Sequence, residues 1–181
     1  MVVTWLDMSE RPPLSPAPAP EGSQVVHWER PELEAYRALI RKIGADWLWF
    51  GRLTLSDGEL ARQIRGKGVE IHRLMKGDDA IGIAELKFRP GKCELSFFGV
   101  TAEYIGTTAG RHLMEAAIAR AWSEPISRFF LQTCTLDSPK ALEFYRRSGF
   151  VAYDRAVEVK PDPRLRGILP REAARHIPVI E

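Results

Sequence analysis

Residues Phe97 to Met114 read Phe-Phe-Gly-Val-Thr-Ala-Glu-Tyr-Ile-Gly-Thr-Thr-Ala-Gly-Arg-His-Leu-Met: an apolar strand, a short glycine-bounded loop and a helix. Beyond Gly110, apolar residues recur at Leu113, Met114, Ala117, Ile118 and Ala121, the spacing of a helix with one buried face. The loop therefore empties into a helix N-terminus. The first turn of a helix has backbone N–H groups without intrahelical partners, and its dipole places partial positive charge there. Strand, glycine loop and helix in this order suit an anion such as phosphate.

Two common phosphate motifs are excluded by the residues themselves. A Walker loop ends Gly-Lys-Ser/Thr whereas this one ends Gly-Arg-His, and the three glycines of a dinucleotide fingerprint are absent. A second segment narrows the choice. Ser127 to Leu136 has strand composition, and Asp137-Ser138-Pro139-Lys140-Ala141-Leu142-Glu143-Phe144-Tyr145-Arg146-Arg147-Ser148-Gly149-Phe150 follows it. Asp137 or Ser138 can cap a short helix there, with Pro139 in its first turn and Gly149 just past its end.

Glu103 to Met114 resembles the pyrophosphate loop of the acetyl-CoA-dependent N-acetyltransferases, the GNAT superfamily: Gly106, Gly110 and Arg111 match it, while Ile105 and Thr108 depart from it. Thr108 is unstrained only if its φ is negative. The later segment resembles the family's second motif, with Ala141, Phe144, Tyr145, Gly149 and Phe150 in register and Ser138 in place of an Asn. The resemblance covers residues 69 to 153.

It implies an acyltransferase that moves an acetyl group from acetyl-CoA to a primary amine by direct attack in a ternary complex. Gly106, Thr107, Thr108, Ala109, Gly110 and Arg111 would hold the pyrophosphate, and Phe98, Gly99, Val100, Ser138, Ala141 and Phe144 would complete the cofactor site. Tyr145 would be the general acid for the departing thiolate. Glu94 would be the base, directly or through water, with Glu85 in reserve; strand alternation puts Glu94, Ser96 and Phe98 on one face. A backbone N–H near Gly99 would meet the oxyanion. The aromatic run Trp47-Leu48-Trp49-Phe50 lies where the family lines its acceptor side, so Trp47 and Trp49 are candidate substrate contacts. The departures at Ile105, Thr108 and Ser138 leave a non-catalytic acyl-CoA-binding module as the alternative.

The rest of the 181-residue chain is consistent with one mixed domain. Residues 1–22 comprise a short strand from Val2 to Leu6 and a strap with five prolines between Arg11 and Gly22; 23–181 form the single domain. Gln24 to Trp28 reads as a strand, Glu32 to Ile43 as a helix stopped by Gly44, and Ser56 to Arg65 as a second helix. Val69–Met75, Ala80–Phe88 and Lys92–Val100 form a meander joined by turn sequences. Val151 to Lys160 is a last strand and Leu169 to His176 a terminal helix or loop. The expected fold is α/β: one mixed, mostly antiparallel sheet with helices on both faces.

A net charge of +2 without a basic stripe argues against a nucleic-acid binder. No targeting or membrane-spanning segment is visible, which suggests a cytoplasmic protein. The two cysteines, Cys93 and Cys134, read as core residues. The four histidines fall singly, so no metal site is expected. The acceptor's identity stays open, and a homodimer is compatible with the sequence but not required by it.

Overall fold

The computed structural model describes residues 1–13 and 17–180. Its sheet has seven strands in the order β2-β3-β4-β5-β6-β1-β7. These are β1 (Val2–Met8), β2 (Ser23–His27), β3 (Val69–Lys76), β4 (Asp79–Arg89), β5 (Lys92–Val100), β6 (Arg128–Cys134) and β7 (Val151–Val157). Every neighbouring pair is antiparallel except β5 with β6. The meander from β3 to β5 forms as its turn composition predicts.

Helices α1 (Leu33–Gly44) and α2 (Asp57–Ile64) cover one face, and α3 (Thr108–Ala121) and α4 (Ala141–Arg147) the other. On the first face Tyr36, Ile40 and Ile43 of α1 pack with Leu60, Ile64, Ile71 and Ile83. On the second, Leu113, Met114, Ala117 and Ile118 of α3 meet Leu6, Leu74, Leu86, Phe129 and Leu131. Each fully buried Leu or Ile contributes roughly 1.5–3 kcal/mol of hydrophobic burial, so these clusters carry the fold. The start of α2 is fixed locally: Ser56 accepts from the Glu59 N–H while the Glu59 carboxylate accepts from the Ser56 N–H at 2.9 Å, a capping box.

The first strand is longer than its sequence suggests and is interior, lying between β6 and β7. Its buried residues Val3, Thr4, Leu6 and Met8 explain why it is held there. Pro12 packs over Gly149, and the Ala17 N–H donates to the Glu115 carboxylate on α3. Leu14, Ser15 and Pro16, the middle of the proline-rich stretch, lie outside the described residues.

Residues 169–176 form turns rather than a helix, with Ala174 in a left-handed conformation at φ 51°. Arg164 explains their order. Its buried guanidinium pairs with Asp162 at 2.7 Å and donates to the carbonyls of Ala173, Ala174 and Ile177 at 2.9–3.2 Å. A side chain collecting backbone acceptors replaces the regular ladder a helix would have supplied.

Candidate active site

The parallel pairing of β5 with β6 lasts for three residues, Lys92–Glu94 against Arg128–Phe130, and then stops. Beyond Glu94, β5 keeps only β4 as a neighbour, so alternate N–H and C=O groups on its other edge face a gap in the sheet. A cleft of about 1470 Å³ passes through this fork. On the α3 face it is lined by Gly110, Arg111, Met114, Phe144 and Tyr145; on the α1 face by Ile43 and Trp47 to Gly51.

The α3 N-terminus opens on this cleft. Thr107 is the N-cap, and its hydroxyl accepts from the Ala109 N–H at 3.2 Å. The other early N–H groups, at Thr108 and Gly110, have no partner within the helix. Gly106 has φ +85°, which explains a glycine there. Thr108 is already helical, so its side chain carries no left-handed strain. Helix α3 thus begins two residues before Gly110 and includes that glycine. A Cβ at Gly110 would sit 3.9 Å from the Phe144 ring, in ordinary contact, so its absence leaves room beside the first turn without being demanded by packing.

Phe98 of β5 stacks on Phe144 of α4 at 5.6 Å, and Tyr145 stands edge-on to Phe98, Phe144 and Phe150. Tyr145 is buried yet lines the cleft. Burial, and secondarily the nearby Asp137 carboxylate, push its phenol pKa well above the ordinary value, so it keeps its proton at neutral pH. Ala141 and Ser138 also line the cleft. The N-cap of α4 is Lys140, whose N–H donates to the Ser138 hydroxyl at 3.4 Å; neither Asp137 nor Ser138 is the cap itself.

Asp137 instead turns back. Its Oδ2 accepts from the Thr133 hydroxyl at 2.7 Å and the Cys134 N–H at 2.9 Å, and its Oδ1 accepts from the Trp49 indole N–H at 3.2 Å. That last bond spans the fork, joining the loop after α1 to the turn that follows β6. Trp49 reaches it because two glycines make space. A Cβ at Gly44 would lie 2.5 Å from the Trp49 Cβ, and one at Gly99 would lie 2.7 Å from Ile43 and 3.2 Å from the Trp49 ring. Gly99 thus serves close packing. Trp47 lines the same end of the cleft, edge-on to His176 of the C-terminal segment at 5.6 Å.

Glu94 occupies a different place. The pairing of β4 with β5 passes from Glu85–Phe97 to Leu86–Leu95, leaving Ser96 as a bulge. A bulge reverses the alternation. Cys93 and Leu95 before it, and Phe98 and Val100 after it, all pack on the α3 side. The expected shared face of Glu94 and Phe98 is therefore corrected: they point to opposite faces. Glu94 lies below the fork, outside the cleft lining, with Arg89 at 3.9 Å. Glu85 is also outside, buried in an ion pair with Arg52 and accepting from the Tyr36 hydroxyl at 2.6 Å. Burial, and then Glu85, drive the Tyr36 phenol pKa far up.

Cys93 and Cys134 are free thiols, and burial pushes Cys93 up to about 12. Among the described residues, no cluster of three His, Cys, Asp or Glu is placed to hold a metal, and no helix is long and apolar enough to cross a membrane.

The sequence matches the acetyltransferase (GNAT) family over residues 27–150. The chain belongs to that family. Solved GNAT structures share its fold. A GCN5-related N-acetyltransferase from Sphaerobacter thermophilus is 16% identical with a TM-score of 0.62, over 85% of this chain and 49% of its own. The chain thus spans about half the length of that relative. An aminoglycoside acetyltransferase from an uncultured soil metagenomic sample, in complex with sisomicin, is 14% identical with a TM-score of 0.62, over 77% of this chain and 95% of its own. A transcriptional regulator from Bacillus halodurans is 20% identical with a TM-score of 0.59, over 76% and 99%. No curated protein matches. The matched stretch contains β3 to β6, α3 and α4, the GNAT elements that build the fork.

Asp137, Pro12 and Pro13 of the strap, and Glu158 and Lys160 beyond β7 also line the cleft, and sequence reasoning missed them. Asp137-Ser138-Pro139 looks like an ordinary helix start, so nothing in it signals a bond to Trp49.

Proposed function

We propose that the protein transfers the acetyl group of acetyl-CoA to a primary amine, with both substrates held together in the forked cleft. The observation that carries this reading is the fork itself. It puts a helix N-terminus with unpartnered N–H groups, an unpaired β5 edge and the Tyr145 phenol along one cleft.

In this reading the pyrophosphate lies at Gly106 to Arg111, where backbone N–H groups meet its charge. The β5 edge around Phe98 to Val100 holds the arm of the cosubstrate and supplies the N–H for the oxyanion. Holding both reactants in one cleft removes much of the entropic barrier to their meeting. The amine attacks as the free base and forms the C–N bond, and collapse of the resulting tetrahedral oxyanion then breaks the C–S bond. Tyr145 gives its proton to the departing sulfur and regains one from the attacking nitrogen. From its place below the fork, Glu94 serves as base only through intervening water.

The experiment is to measure thiol release from acetyl-CoA with a panel of primary amines, alongside calorimetric titration of CoA. Amine-dependent thiol release supports the reading. Tight CoA binding with no transfer to any amine would favour a non-catalytic acyl-CoA-binding module, and absence of CoA binding would remove both.

A further inference from the structure

Among the described residues, four carboxylates line the cleft: Glu115, Asp137, Glu143 and Glu158. Three have a cation of their own. Glu115 pairs with Arg111 at 3.0 Å, Glu143 with Arg147 at 3.0 Å, and Glu158 with Lys160 at 2.6 Å. Asp137 alone of the four has no ion pair among the described residues, and its three donors are all neutral groups. Two of those donors fall on Oδ2, leaving Oδ1 with the Trp49 indole only. Half-buried and held by these three neutral donors, the carboxylate keeps acceptor capacity at Oδ1 for a cation that arrives with a ligand.

Its surroundings give the rest of the ligand. Trp47, Trp49 and Phe50 line the same end of the cleft, and Leu169 and Ala173 of the C-terminal segment back that loop through Leu48. Titratable groups near Asp137 include the Tyr145 phenol from α4, the Cys134 thiol from β6, and the Glu158 and Lys160 pair. Lys140, three residues further on and exposed to solvent, also lines the cleft but makes no ion pair with Asp137. We propose that Asp137 anchors the acceptor, and that the acceptor is a small primary ammonium carried on a flat, apolar body that lies against Trp49 and Trp47. This rests on the amine-acetylating reading above and adds the residue and the substrate chemistry. The role is one of binding; before attack the ammonium gives one proton to water in the open cleft, and the free amine that remains moves from the carboxylate to the thioester carbon.

The test is calorimetric titration of tryptamine and of its neutral alcohol counterpart, indole-3-ethanol, into the full chain at pH 7, with and without saturating CoA. The wild type should bind the ammonium tenfold or more tighter than the alcohol, the scale of a hydrogen bond to a charged group. Asp137→Asn should bring the two ligands within about threefold while CoA affinity holds. Trp49→Phe keeps a ring and removes the indole donor, so the ammonium preference should persist there. An ammonium preference that survives Asp137→Asn overturns the proposal, as does wild-type protein that binds both ligands equally or neither. Equal loss of the preference in both variants would make Asp137 a clamp for Trp49 and also overturn it. Failure of CoA to bind in its own titration would strike the underlying reading, which the titrations without CoA keep separate.

Discussion

The two ends of the cleft are built in opposite ways. At the α3 end, the side chains and N–H groups come from two runs of consecutive residues, 97–111 and 138–150, each a strand or loop entering a helix. At the other end, Trp47 and Trp49 come from the segment after α1, Asp137 from the turn after β6, and Glu158 and Lys160 from beyond β7. The first end depends on local backbone geometry, which a few residues determine. The second depends on long-range contacts such as Trp49 with Asp137, 88 residues apart. Changes at one end should therefore act on the cosubstrate alone and changes at the other on the acceptor alone.

The largest expected effect is at the first end. Gly110→Pro removes a first-turn N–H and biases Ala109 away from the helical region, so CoA affinity should fall by about a hundredfold or more. Calorimetry on the folded variant checks this, and wild-type affinity there would place the phosphates elsewhere.

Tyr145 stands between the two ends, so Tyr145→Phe should spare binding at both and lower kcat by about a hundredfold or more. Wild-type turnover in that variant ends its role as acid. The sign of its pKa shift adds a second check. Burial, and then Asp137, raise the phenol pKa, so its proton is retained as pH rises. No falling limb from Tyr145 should appear in the kcat profile up to about pH 10, the ordinary phenol value.

A smaller effect sharpens the contrast from the acceptor side. Gly44→Ala pushes a methyl group against the Trp49 Cβ, where only 2.5 Å is available. Overpacking of this kind costs about 1–3 kcal/mol, seen as a lower Tm. Acceptor KM should rise several-fold while CoA affinity stays within about twofold of wild type. An equal loss of both affinities would show that the ends are mechanically one.

The smallest effect is expected at Glu94. Acting only through water from below the fork, Glu94→Gln should lower kcat/KM by a few-fold at pH 7, and the deficit should shrink towards high pH, where more amine is already free. An unchanged rate at every pH would assign deprotonation to solvent alone.

Much of this molecule could be read before any coordinates. The meander, the α3 and α4 helices and the glycine-bounded loop before α3 were legible because each rests on residues a few positions apart: apolar spacing at Leu113, Met114, Ala117 and Ile118, or a glycine at Gly106 where φ is positive. What escaped was the phase of β5. One bulged residue, Ser96, reverses which face Glu94 shares with its neighbours, and no residue pattern announces a bulge that the β4 pairing creates.

The sequence by itself determined the family, the mixed sheet and the end of the cleft made from consecutive residues, since helix termini and tight turns answer to local chemistry. Only the tertiary structure decided that β1 enters the sheet between β6 and β7, that Asp137 faces Trp49 rather than its own helix, and that Arg164 gathers the C-terminal carbonyls. Those arrangements join residues tens of positions apart. They form because buried polar groups must find partners wherever the packed chain brings them, a condition the linear order of residues does not contain.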